Sequence, residues 1–114
     1  MEHQIVDLVT DWINQQDNKR SFLISKEEDG DLDQVALDLE EVRLGHLDHA
    51  DPDGYLSPQS LLFRGQGTIM TESKAGPLPQ DVYEIPLFGT WITQNKGTSF
   101  QIRTERGIYT IQPH

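Results

Sequence analysis

The chain has 114 residues, a net charge of −10 at pH 7 and a mean hydropathy of −0.57. That length suits one domain with one modest core, and the lack of cysteine excludes disulfides, thiolate metal sites and a cysteine nucleophile. The longest apolar runs, such as Phe22-Leu23-Ile24 and Leu61-Leu62-Phe63, are too short for a membrane-spanning helix or a signal-peptide core. A single cytoplasmic domain over residues 1–114, of bacterial type, is the expectation.

The first element is an amphipathic helix over residues 3–16. Ile5, Val6, Leu8, Val9, Trp12 and Ile13 fall within an arc of about 160° when wound at about 100° per residue. Asp7, Thr10, Asp11 and Asn14 take the opposite side, and Asp17-Asn18 ends the pattern. Residues 20–26 then read as a strand and run into Asp29-Gly30, a hairpin turn pair.

The stretch 34–44 carries two patterns. Val35, Leu37 and Leu39 alternate as a strand, and Val42 and Leu44 resume one residue out of phase, which a β-bulge at Glu40-Glu41 reconciles. The competing reading is a helix with Leu32, Val35, Ala36, Leu39 and Val42 on one face, Asp31 as N-cap and Gly45 past the end. The strand is preferred, because the helix would put Leu37 and Leu44 on its polar side.

Residues 46–59 read as a loop, 60–70 as a strand interrupted at Gly65-Gln66-Gly67, and 73–80 as a second loop. A strand over 82–94 tolerates Pro86 only at an edge or a bulge. Strands over 98–104 and 108–112 follow, joined by turns at Asn95-Lys96-Gly97 and Glu105-Arg106-Gly107. The expected fold class is α+β: one N-terminal helix packed on a twisted antiparallel meander of five or six strands, open to strong curvature. No βαβ alternation is present, so a parallel nucleotide-binding sheet is not expected.

The charge is distributed unevenly. Residues 27–53 hold eleven acids against Arg43, and the remaining acids and bases cancel. Such a surface repels nucleic acid and anionic lipid and attracts cations. Arg64, Lys74, Lys96, Arg103 and Arg106 are scattered without aromatic interleaving, so no nucleic-acid or membrane partner is expected. The candidate binding surface is Glu27, Glu28, Asp29, Asp31, Asp33, Asp38, Glu40 and Glu41, with a basic protein as its partner. On the strand reading, Asp38 and Glu40 form an acidic stripe continued by the turn at 27–33.

The alternative is a module for a divalent cation or small ligand centred on the 46–54 loop, with His46, Asp48, His49, Asp51 and Asp53 as ligands. Asp51-Pro52-Asp53-Gly54 resembles half of a calcium loop, since closely spaced carboxylates on a sharp turn can converge on Ca²⁺. In that alignment His49 and Ser60 occupy the positions of the two end ligands, and both would be acids in a complete loop. The same four residues also make an ordinary turn. His46 and His49 with Asp51 would leave a zinc ion open to water, which supplies a third reading, a metal-dependent enzyme. It lacks a general base or a substrate pocket in the sequence. Serines lack a nucleophile-elbow context, and Gly65-Gln66-Gly67 is too short for a phosphate loop. The preferred reading is therefore a protein-binding, non-enzymatic domain without a resident cofactor.

Overall fold

The computed structural model describes residues 4–16, 20–45, 59–70, 76–78, 81–87 and 90–114. Helix α1 spans Gln4–Asn14. Ile5, Val9 and Trp12 are completely buried, and Val6 and Ile13 pack partly against the same core. Leu8, expected on the apolar face, is 42% exposed because it lies at the margin of that arc. No helix among the described residues is long and apolar enough to cross a membrane.

Eight strands follow among the described residues: β1 Ser21–Glu28, β2 Asp31–Gly45, β3 Ser60–Ile69, β4 Gly76–Pro77, β5 Val82–Pro86, β6 Ile92–Asn95, β7 Phe100–Arg103 and β8 Ile108–Pro113. The α+β class holds, but the sheet is larger than the five or six strands expected. Two corrections account for the difference. The short strand β4 lies within the segment expected to be a loop, and the single strand expected over 82–94 is two strands, β5 and β6. β5 ends at Pro86, opposite Ser60 at the start of β3, and the Leu87 N–H donates to the Gln59 carbonyl. The stretch 34–44 is strand throughout, which overturns the helical alternative.

The sheet order is β4-β3-β2-β1-β8-β7-β6, with β5 beside β4 along the same edge of β3. Every pairing is antiparallel. The chain is therefore not a simple meander. Two meanders, β1 to β5 and β6 to β8, are sewn together by β8 against β1. β5 and β6 lie on opposite edges, six strand steps apart, or about 29 Å in a flat sheet at about 4.8 Å per step. The link from Pro86 to Ile92 reaches about 22 Å at most. The sheet must therefore curl, and its edges approach one another. Tyr83 on β5 accordingly feels Tyr109 on β8 electrostatically across the interior.

The concave side holds the core. Phe22 and Ile24 on β1, Val35, Leu37 and Leu39 on β2, and Leu61 and Phe63 on β3 all point inward. Ile85, Phe100, Ile102, Tyr109 and Ile111 complete the cluster from the other strands. Trp12 joins the helix to this interior. Its ring lies 5.7 Å from Phe22 and 5.9 Å from Phe100, centroid to centroid, and its Nε1–H donates to the Gly97 carbonyl at 2.9 Å. Burying an indole with its N–H satisfied gains apolar area without a desolvation penalty.

The bulge anticipated at Glu40-Glu41 is present, with the β2–β3 register shifting between Leu39 and Glu41. Gly65 faces it. A Cβ there would overlap the Asp38 carbonyl oxygen, and its φ of 154° lies in the region that favours glycine. Close backbone approach, and not phosphate binding, is what Gly65-Gln66-Gly67 provides. The β1–β2 turn is made by Asp29 and Gly30, both with positive φ (50° and 82°), as a two-residue hairpin turn matching the strand twist requires.

Candidate functional site

The eight acidic residues of the proposed surface all lie on the β1–β2 hairpin, but on two faces of it. Alternation along β1 continues from Phe22 and Ile24 to Lys26 and Glu28 on the concave side, leaving Glu27 on the convex side. Along β2, Asp31 and Asp33 share the concave side with Val35 and Leu37, whereas Asp38 projects from the convex side. Asp29 sits in the turn, Glu40 is the unpaired bulge residue and Glu41 pairs across to Arg64. The continuous stripe expected from Asp38 through the turn is thus divided. One group lies around the hairpin tip, one residue on the outer face, and two at the bulge.

Seven of the eight side chains are exposed, and Glu28 is half-buried. Glu28 Oε2 lies 3.3 Å from Lys26 Nζ, and Glu41 lies 3.9 Å from Arg43 and 4.0 Å from Arg64. Contacts this long and this exposed add little stability. Asp38 accepts a hydrogen bond from the Ser21 hydroxyl at 2.7 Å.

Beneath the hairpin tip is a polar group that the charge pattern did not point to. Lys26, inward on β1, stands opposite Asp33 on β2 and Tyr109 on β8, with its Nζ 5.8 Å from the Tyr109 ring centroid. Burial works against the Lys26 charge, but Tyr109, Glu28 and Asp33 together outweigh it and hold its pKa above the ordinary lysine value. Burial pushes the Tyr109 hydroxyl up, partly offset by Lys26. Burial also raises Tyr83 strongly, and Tyr109 and Asp33 add to it. All three groups stay protonated at neutral pH. The signal was in the sequence: Lys26 continues the alternation of Phe22 and Ile24.

Two grooves adjoin the acidic strands. The first, of about 420 Å³, lies between α1 and the bulged part of β2. The buried Phe22 and Leu39 form its floor, and Ile13 and Val42 flank it. Glu40, Glu41 and Arg20 also line this groove. The second, of about 460 Å³, is on the outer face, where Ser21, Asp38, Gln66, Asp81 and His114 line it.

The metal candidates His46, Asp48, His49, Asp51 and Asp53 lie outside the described residues. Among the described residues, no group of three His, Asp or Glu side chains is arranged to hold an ion.

The sequence profile of the family described as YmzB-like protein matches residues 1–114, the whole chain. The chain belongs to the YmzB-like family. A relative from Bacillus subtilis (strain 168), described as "Uncharacterized protein YmzB", is 38% identical over 95 residues, which cover 83% of this chain and 79% of the relative. No solved structure matches. For this YmzB-like chain, sequence reasoning located the acidic hairpin and the bulge. It missed the groove, because a groove depends on where the helix lands relative to the bulge, and no local pattern encodes that.

Proposed function

We propose that this protein is a non-enzymatic binding module that meets a basic protein through the acidic β1–β2 hairpin. The observation that carries the reading is the exposure of Glu27, Asp29, Asp31, Asp33, Asp38, Glu40 and Glu41 on one hairpin of fixed register. The strand pair holds the backbone positions of these charges at set spacings, so that only their side chains need ordering on binding. Concentrated charge of one sign speeds encounter with a partner of the other sign and selects against like-charged competitors. The core below is filled by apolar side chains and leaves the hairpin free for this role.

The test uses four charge-neutralising substitutions, Glu27→Gln, Asp29→Asn, Asp31→Asn and Asp33→Asn, in one variant. A control variant carries Asp7→Asn, Asp11→Asn, Asp81→Asn and Glu105→Gln and has the same net charge. Basic proteins retained by the wild type from a Bacillus subtilis lysate at low salt are identified, purified and titrated against all three forms. The hairpin variant is expected to bind about tenfold more weakly or worse, and the control to bind nearly as the wild type does. Equal losses in both variants would mean that bulk charge, and not this hairpin, is responsible.

A further inference from the structure

The groove between α1 and the β2 bulge differs from the rest of the acidic surface in having an apolar floor. Phe22 is 1% exposed and Leu39 7%, so the floor is firm core, while Ile13 and Val42 are half-buried and offer apolar surface at the sides. Glu40 and Glu41, both exposed, line the groove where the bulge turns them. Arg20 is the one basic residue lining it among the described residues. A volume of about 420 Å³ admits an aromatic or branched aliphatic side chain with its neighbouring backbone, and falls in the range of ligand sites.

We propose that this groove receives a single apolar anchor side chain from the partner, flanked by lysine or arginine residues that meet Glu40 and Glu41. The inference rests on the acidic-hairpin reading and gives it a point of specificity. Charge alone selects any basic surface, whereas an apolar side chain seated beside two carboxylates selects a short motif in which bases adjoin an apolar residue. Buried anchors in pockets carry most of the affinity in interfaces of this kind, with flanking charges setting approach and register. The bulge places Glu40 and Glu41 side by side on β2, and both line the space beside α1.

The test is a titration of the full chain, followed by NMR, with three capped tripeptides: Lys-Phe-Lys, Lys-Ser-Lys and Glu-Phe-Glu. The expected result is saturable perturbation of Ile13, Leu39 and Val42 by Lys-Phe-Lys, with Lys-Ser-Lys about tenfold weaker. Glu-Phe-Glu is expected to leave these residues unperturbed. Glu40→Gln should weaken Lys-Phe-Lys about two- to fivefold, as loss of one exposed charge contact does. Thr10→Tyr, an exposed helix residue lining the groove, should abolish the effect by filling it without touching the core. Equal binding of the two lysine peptides, with perturbations only around Glu27 to Asp33, would overturn the groove proposal and leave the acidic-hairpin reading standing. Binding of Glu-Phe-Glu at the groove would overturn it in favour of Arg20. No binding by either lysine peptide would overturn the groove proposal and leave the acidic-hairpin reading to the variant titration above.

Discussion

Strands β1 and β2 pass through two environments with the same backbone geometry. In the half nearer the helix their inward residues are Phe22, Ile24, Val35 and Leu37, all at most 5% exposed and part of the same core cluster as Trp12. In the half nearer the turn the inward residues are Lys26, Glu28, Asp31 and Asp33, which are half-buried or exposed. Alternation, pairing and register continue unbroken across the change. A β-ladder therefore does not require an apolar face along its whole length. One buried half and a well-formed turn at Asp29-Gly30 can carry a charged half into solvent. The division is physical: one half is buried in the core, and the other stands largely in solvent.

That contrast is most open to challenge at Trp12. Trp12→Ala removes the ring packed on Phe22 and Phe100 and the hydrogen bond to Gly97, and should cost about 3–5 kcal/mol in denaturant unfolding. A cost near that of a surface substitution would mean that the helix is not the cover of the core. A smaller effect is expected where the two halves meet. Tyr83, Tyr109 and Lys26 all have pKa values raised in the fold from ordinary values of 10.0, 10.0 and 10.5. Below pH 10 the folded and unfolded chains carry the same protons on these groups, and the full stability is present. As pH rises above 10, the unfolded chain releases them first, so stability falls towards the higher folded values. Melting temperatures measured from pH 9 to 11 should decline, and Tyr83→Phe should make the decline shallower. Identical slopes in the two proteins would remove Tyr83 from the account. The smallest change belongs to the hairpin tip. Glu27→Gln and Asp31→Asn are each expected to shift unfolding free energy by less than about 0.5 kcal/mol, since both side chains are exposed. A loss well above that would show that the charged half supports the fold after all.

Much of the architecture could be read along the chain because it is written in local repeats. The period of Ile5, Val9 and Trp12 gives the helix. The period of two in Val35, Leu37 and Leu39, with its phase slip before Val42, gives both β2 and its bulge. Asp29-Gly30 and Asn95-Lys96-Gly97 give turns, because few other residues accept a positive φ. The acidic hairpin was equally legible, since charge spacing needs no tertiary information. The split of 82–94 was not, although Pro86 marked the place. Whether a strand continues depends on whether a neighbour offers rungs, and among the described residues the pairing of β5 with β3 ends with Leu87 against Gln59.

The sequence by itself determined which residues alternate, where the chain turns and where the negative charge gathers, because each depends on neighbours a few positions apart. The tertiary structure decided the rest. It placed β8 beside β1, and that pairing, with a five-residue link between edge strands, forces the sheet to curl. It also brought Tyr83 within electrostatic reach of Tyr109 and set α1 against the bulge so that a groove opens beside Glu40 and Glu41. These relations join residues far apart in the chain, and they are fixed by closing one apolar interior, which is a property of the whole fold and of no segment alone.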